Sequence, residues 1–186
     1  IYRAFPGTMT ITEMQAFYLD PFITYFSNPN CRHTFKGRWY STNNDNSNNQ
    51  SNSANVFLSE YQFYKGFEKL DNLNLTGGVF MNQTFSHANL YAGGGKPDNR
   101  LQNFAGYVQL DKKFWNVLNV SAGFREEYFK INDMQAVWEP VFRAGLNVKL
   151  SNNTNIRYSY GQGYRYPTLA ERYIVTTTGG IYIFPN

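Results

Sequence analysis

The stretch VLNVSAGFREEYF, residues 117–129, decides the fold because its side chains alternate in character with a period of two. Alternate residues of an extended chain point to opposite faces. One face here carries Leu118, Val120, Ala122, Phe124 and Tyr128. The other face carries Asn119, Ser121, Gly123, Arg125 and Glu127. The pattern therefore predicts an amphipathic β-strand.

The same period recurs along most of the chain. It predicts about eight long strands, at residues 15–26, 31–42, 55–66, 73–86, 102–111, 117–130, 141–150 and 154–164. Their order predicts an all-β fold, an antiparallel amphipathic meander. Such strands exceed the roughly five or six residues that are usual in globular sheets.

The predicted connections alternate between short and long. Short ones fall at 28–30, 68–72, 112–116 and 151–153, and longer ones at 43–54, 86–100 and 132–140. A sheet that crosses a bilayer sorts its loops in this way, with short turns on one side and long loops on the other. The pattern predicts a sheet that crosses a bilayer, as the wall of a transmembrane β-barrel does.

The composition is unusually aromatic and only mildly basic. The 186 residues include 16 Phe and 15 Tyr, and the net charge is +4. Rings gather near the predicted strand ends, where aromatic girdles form in membrane barrels: Tyr25, Phe26, Trp39, Tyr40, Phe114, Trp115, Tyr128, Phe129, Tyr164 and Tyr166. The scattered basic residues argue against a nucleic-acid partner.

A segment near the end of the chain, GQGYRYPTLAERY (161–173), carries a family resemblance. The matching positions are Arg157, Ser159, Tyr160, Gly161, Gly163, Tyr164, Arg165, Pro167, Thr168, Glu171, Arg172 and Tyr173. Together with the upstream strands, this motif resembles TonB-dependent outer-membrane receptors in the style of Bacteroidetes. The resemblance implies that residues 1–186 are an internal segment of a large transmembrane β-barrel, which would be a curved open sheet if isolated, without the plug domain.

The resemblance also implies a function. A complete receptor of this kind sits in the outer membrane of a Gram-negative bacterium and imports a scarce nutrient such as a siderophore, vitamin or glycan. The expected partners are outer-membrane lipid, the plug and remaining strands of the barrel, TonB acting through the plug, and the small-molecule nutrient. No enzymatic activity and no cofactor are expected.

Four arginines are candidates for facing the ligand or the plug: Arg125, Arg143, Arg157 and Arg165. The alternative for them is ordinary lining of the barrel interior, with pairing to acids such as Glu127. Five motif residues are expected to have structural roles: Gly161, Gly163, Pro167, Glu171 and Arg172. The regular strand is expected to end near Pro167, which cannot donate to a ladder, and residues 168–172 to form a short helical turn.

Other chemistry finds little support in the sequence. Cys31, His33 and His87 lack metal-ligand spacing, so no metal site is expected. Glu126 and Glu127 are neighbours on a strand and face opposite sides, so they cannot act as a catalytic pair. No catalytic residues are assigned.

Two other functions remain open at this point. One is a complete small outer-membrane barrel of about eight strands with a structural or adhesive role. The other is a soluble β-sandwich that binds carbohydrate through exposed rings.

Overall fold

The computed structural model describes residues 9–70, 73–91, 96–178 and 181–183. Its main strands are β1 (Thr12–Leu19), β2 (Phe22–Asn28), β3 (Cys31–Asn46), β4 (Asn52–Phe67), β5 (Leu73–Ala88), β6 (Asp98–Phe114), β7 (Leu118–Ile131), β8 (Val137–Ser151) and β9 (Thr154–Gly161). A helix α1 (Leu169–Tyr173) and the short strands β10 (Thr176–Thr178) and β11 (Ile181–Ile183) follow. The predicted all-β fold is confirmed. No helix within the described ranges is long and apolar enough to span a bilayer.

The nine main strands form one open antiparallel sheet. From β3 to β9 every strand pairs with its neighbours in sequence, while β1 and β2 pair with the two halves of β3. In the part of the chain that the structure describes, the edge formed by β1 and β2 does not pair with β9 at the other edge. All eight predicted strands are therefore present, and the first of them is divided in two.

The division of the first strand lies at Asp20 and Pro21. Proline has no backbone N–H and interrupts a ladder. The Gly37 N–H still donates to the Pro21 carbonyl at 2.9 Å, and Arg38 forms a bidentate pair with Asp20 at 2.6 and 2.7 Å. These contacts keep β1 and β2 on the same edge of β3 across the break.

The three longer connections are shorter than predicted. They span residues 47–51, 89–97 and 132–136, because β3 to β8 continue well into the polar segments. Asparagines pair across the extended part, for example Asn44 Nδ2 donating to Asn52 Oδ1 at 2.9 Å. Because side chains on both faces are polar there, the sequence does not show an alternation of period two, although the strands remain hydrogen-bonded to each other. The difference between long and short connections, on which the membrane prediction partly rested, is correspondingly smaller.

The register places the large apolar side chains on one side of the sheet, which is called the apolar face below. Rings contact one another across strands on this face: Phe17 with Trp39, Trp39 with Phe57, Phe57 with Phe85, Phe124 with Phe142, and Tyr128 with Trp138. Most of these side chains are exposed, and Trp138 is 63% exposed. No second layer covers them in the described structure, so the apolar face is open.

The opposite side, called the polar face below, is braced by one tyrosine that lies over a glycine. A Cβ added to Gly78 would lie 2.5 Å from Tyr107 Cζ and 2.6 Å from the Tyr61 carbonyl oxygen. The Tyr107 hydroxyl donates to Glu60 at 2.8 Å and accepts from Gln62 Nε2 at 3.2 Å. The absence of a side chain at Gly78 therefore lets one ring connect β4, β5 and β6.

Replacing Gly78 with alanine tests this packing. We expect Gly78→Ala to lower the free energy of unfolding by about 1–3 kcal/mol, because the added methyl group overpacks against the ring and the backbone. Gly77→Ala is the matched control, since a Cβ there would meet only the Tyr107 carbonyl oxygen at an ordinary 3.5 Å. Guanidinium unfolding of the complete protein in detergent micelles measures the difference. Equal midpoints for the two variants would contradict the packing described.

Candidate functional site

Three of the four candidate arginines lie on the polar face. Arg125 pairs in register with Tyr107 and Val141, Arg143 with Gly123 and Gly161, and Arg157 with Asn147. A Cβ built on Gly161 would lie 3.8 Å from Arg143 Cγ, so the arginine side chain lies over that glycine. Gly161 therefore shares a face with these arginines.

Arg125 is held by its neighbours in the wall. Its Nε donates to Glu127 at 2.5 Å. Its guanidinium carbon lies 5.2 Å from the centroid of the Phe80 ring and 5.6 Å from that of Tyr107, within cation–π range. Glu127 also accepts from Asn103 Nδ2 at 2.7 Å. These contacts favour a bracing role for Arg125 across β5, β6 and β7.

Arg143 and Arg157 differ from Arg125 because neither makes a hydrogen bond or ion pair among the described residues. Arg157 lines an open cavity of about 510 Å³ on the polar face. Lys113, Asn119 and Asn147 share its register row and line the same cavity. The Asn147 Oδ1 atom is buried and has no hydrogen-bond partner in the described chain. Arg157 and the Asn147 Oδ1 atom thus lack a partner among the described residues, in a cavity that the Asp111 carboxylate also lines.

The motif segment leaves the sheet earlier than predicted. Strand β9 ends at Gly161, six residues before Pro167, so the predicted strand end at 164 is wrong and Gly163 lies outside the sheet. Gln162 lies just beyond β9 but still forms two hydrogen bonds with the backbone of β8. Its N–H donates to the Phe142 carbonyl at 3.0 Å, and its Oε1 accepts from the Phe142 N–H at 2.9 Å.

After Gly163 the chain folds back over the polar face. The Tyr166 ring stacks on Phe129 with centroids 4.8 Å apart and planes at 8°, and the Tyr164 ring lies 5.6 Å from the same phenylalanine. Burial raises the pKa of the Tyr164 hydroxyl above its usual value. Phe129 shares the face of Arg125 and Glu127. The expectation that Phe129, Tyr164 and Tyr166 form part of an outer girdle is therefore wrong.

The fold-back creates the hydrophobic core of the described structure. Its buried members are Ala88, Tyr91, Ile131, Leu169 and Tyr173. Ile131 is fully buried, and the Tyr173 hydroxyl accepts from Asn132 Nδ2 at 3.1 Å. The Val175 N–H donates to the Leu90 carbonyl at 3.1 Å. The core therefore ties α1 to the polar face at the end of the sheet where the longer connections lie.

The predicted helical turn at 168–172 is confirmed as α1, and the motif residues form its cap. Thr168 Oγ1 accepts from the Glu171 N–H at 3.2 Å, while the Glu171 carboxylate accepts from the Thr168 N–H at 2.9 Å. This reciprocal pair is a capping box. Arg165 also pairs with the Glu171 carboxylate. Arg165 thus stabilises the fold-back and does not lie on the strand face with the other three arginines.

The hydrogen bond from the Thr168 N–H is the main cause of a lowered pKa for Glu171, with Arg165 as a smaller contribution. The Arg172 N–H donates to the Thr168 carbonyl at 3.1 Å. The Arg172 side chain makes no hydrogen bond or ion pair within the described ranges. Pro167 immediately precedes the cap residue, where its fixed φ suits the extended approach to the helix.

Sequence reasoning named Glu127 as a pairing acid but missed the aromatic partners of Arg125. The period of two could have placed Glu60, Phe80 and Tyr107 on the polar face, but the contacts among them depend on the register of four strands. No metal-binding group of three or more His, Cys, Asp or Glu side chains occurs among the described residues.

Comparison with protein families gives one match. The family described as TonB dependent receptor-like, beta-barrel matches residues 8–186. Comparisons with curated proteins and with solved structures return no match.

The cap of α1 can be tested by substitution of its first residue. We expect Thr168→Ala to weaken α1 locally by about 1 kcal/mol, because the Glu171 N–H loses its acceptor. Amide hydrogen exchange in the complete protein should then be about fivefold faster across Leu169–Tyr173. Arg172→Ala is the control on the same helix and should leave exchange unchanged. Equal exchange in both variants would argue against the cap.

The lowered pKa of Glu171 predicts a pH dependence of the same helix. The stabilisation by ionised Glu171 is complete above its ordinary pKa of 4.5 and is lost as the pH falls through the lower value in the folded protein. We expect a spin label at the exposed Ala170 position to become more mobile on acidification below pH 4.5. Glu171→Gln should give the mobile spectrum at neutral pH and remove the dependence. A wild-type spectrum that stays immobile at pH 3 would contradict this.

Proposed function

We propose, since the chain belongs to the TonB-dependent receptor β-barrel family, that it forms part of the wall of an outer-membrane receptor that imports a scarce nutrient with energy transmitted by TonB. Members of this family are outer-membrane receptors and transporters, and no enzymatic step is proposed. The observation that supports the proposal most strongly is the sheet itself. Its long antiparallel strands combine an exposed apolar face with a polar face, as a barrel wall between lipid and an aqueous interior requires.

The two open edges support the proposal that further strands complete the barrel. β9 exposes one edge of the sheet, and β1 and β2 expose the other. Unpaired backbone N–H and C=O groups cost several kcal/mol each in the hydrocarbon region. In this proposal residues 1–186 are a partial barrel, and the plug domain and remaining strands are other parts of the receptor.

The polar face would then line the barrel interior. Arg143, Arg157 and the cavity beside Arg157 would meet either acidic groups of the plug or an anionic part of the nutrient. Charge-assisted hydrogen bonds to such groups are stronger than hydrogen bonds between neutral groups. Arg125 and Arg165 would act differently, because Glu127 and Glu171 already pair with them.

The fold disfavours the two other functions considered from the sequence. A small closed barrel would need β9 to pair with β1 and β2, and these edges are unpaired in the described structure. A β-sandwich would need a second sheet packed on the apolar face, whereas β10 and β11 are the only other pairing in the described ranges.

The proposed transport can be tested in cells. The complete receptor is expressed in a Gram-negative strain, and uptake of labelled ferric siderophore, cobalamin and oligosaccharide is measured with and without TonB. We expect accumulation of one of these nutrient classes that is lost when TonB is removed. Uptake that is the same in both strains for all three classes would contradict energy-coupled import.

The role of the two free arginines gives a sharper prediction. We expect Arg143→Ala combined with Arg157→Ala to lower uptake at limiting nutrient by about 100-fold or more, since each of the two lost charge-assisted hydrogen bonds is worth about 1.5–3 kcal/mol. The matched control replaces both residues with lysine, which keeps the charges. Unchanged uptake in the double alanine variant would indicate that both residues only line the barrel interior and do not contact the plug or the nutrient.

A further inference from the structure

A polar cavity lies at the end of the sheet that carries the longer connections. Its volume is about 350 Å³. Most of its lining residues belong to the apolar face by register: Ser53, Asn55, Phe85, His87, Asp98 and Arg100. The others come from the polar face or from the connection after β7: Ser86, Asn99 and Asn132. The apolar face therefore becomes polar at this rim.

Arg100 carries a charge in this cavity that the described chain does not neutralise. Its guanidinium carbon lies 5.1 Å from the centroid of the Phe85 ring, within cation–π range. Its Nη2 donates to Gln83 Oε1 at 3.3 Å, while its buried Nε has no hydrogen-bond partner among the described residues. An aromatic ring and a neutral amide thus hold the guanidinium group in place without supplying an anion.

Lys130 of β7 is a second cation beside Arg100 on the same face. Lys130 pairs in register with Gln102, which lies two residues from Arg100 along β6. Arg100 and Lys130 are therefore diagonal neighbours across the two strands, and such positions lie about 7–8 Å apart. The Lys130 side chain makes no hydrogen bond or ion pair with any residue that the structure describes. Two long cationic side chains can thus reach one group between them.

The acidic side chains of the neighbourhood do not contact these two cations. Asp98 pairs with His87, whose Nδ1 lies 2.8 Å from Asp98 Oδ1. Asp133 is exposed in the connection after β7 and forms no ion pair with a described residue. Glu126 lies four residues from Lys130 along β7, which is about 13 Å toward the centre of the sheet. Both cations therefore lack an anionic partner in the part of the chain that the structure describes.

The two cations lie just outside a row of rings on the apolar face. The Phe104 and Tyr128 ring centroids lie 5.8 Å apart, and those of Tyr128 and Trp138 lie 4.9 Å apart. Tyr and Trp on a barrel wall occupy the depth of the lipid headgroups. Lys130 lies two residues beyond Tyr128, about 7 Å nearer to the longer connections. Because outer-membrane barrels carry their longer loops outside, this rim faces the headgroups of the outer leaflet.

We propose that Arg100, Lys130 and the cavity beside Arg100 bind a phosphate group of an outer-leaflet lipid. The guanidinium and ammonium groups donate charge-assisted hydrogen bonds to the phosphate oxygens. The Ser53 hydroxyl and the Asn55 amide line the cavity and contact the neutral part of the headgroup. The acyl chains lie along the row of rings toward the membrane centre. This inference goes beyond import of a nutrient, since it assigns a lipid site to the outer surface of the wall.

The experiment compares two forms of one glycolipid bound to the complete receptor purified in detergent. Diphosphoryl lipid A and the same lipid without its phosphate groups are added in equal amounts, and native mass spectrometry measures the bound ratio. We expect a preference of about fivefold or more for the phosphorylated form, because only that form can accept from both cations. Equal binding of the two forms would overturn the proposal. Displacement of the phosphorylated form by an excess of inorganic phosphate would overturn it too, since the site would then bind the free ion.

Substitutions then assign the preference to the two cations. Arg100→Gln combined with Lys130→Gln should reduce it to about equal binding. The matched control, Lys65→Gln with Lys112→Gln, removes two cations of the apolar face at the opposite end of the sheet and should leave it unchanged. Lys130→Gln alone breaks no hydrogen bond among the described residues and should still lower the preference, so the test holds if the Arg100 variant does not fold. A preference that these variants do not alter would overturn the proposal. Nutrient uptake by the double variant should be normal, so the result is independent of the transport proposal.

Discussion

The structure depends on the register of one antiparallel ladder. Because side chains alternate with a period of two, a slip of one residue between neighbouring strands would move a whole strand's apolar side chains to the polar face. Rings that meet across strands, such as Trp39 with Phe57 and Phe124 with Phe142, oppose such a slip on the apolar face. On the polar face, Tyr107 over Gly78 performs the same role, since a side chain at Gly78 would clash with the ring.

The ladder also explains why the conspicuous motif has a structural role. The sheet ends at Gly161, and the chain beyond it must satisfy its backbone groups in another way. The capping box of Thr168 and Glu171 satisfies the first turn of α1, and the buried cluster around Ile131 fixes the helix to the polar face. Arg165, Glu171 and Tyr166 therefore define how far the segment folds inward. In a closed barrel such a segment would occupy part of the interior.

The sequence predicts the strands well and their ends poorly. Alternation identified every long strand, because each has apolar side chains along one face and polar side chains along the other. It failed at residues 43–46 and 52–54, where the side chains on both faces are polar or small and strand pairing continues. It also failed at Tyr164 and Tyr166, which alternate like strand residues yet pack on Phe129 after the chain has turned. Arg143 and Arg157 could be placed on a face, but whether they are paired depends on neighbours in space.

Each face of the wall retains charges that the described chain does not neutralise. Arg143 and Arg157 are free on the polar face, while Glu126 is free on the apolar face. Water can solvate the arginines in a barrel interior, so an anionic partner there gains energy only by replacing that water.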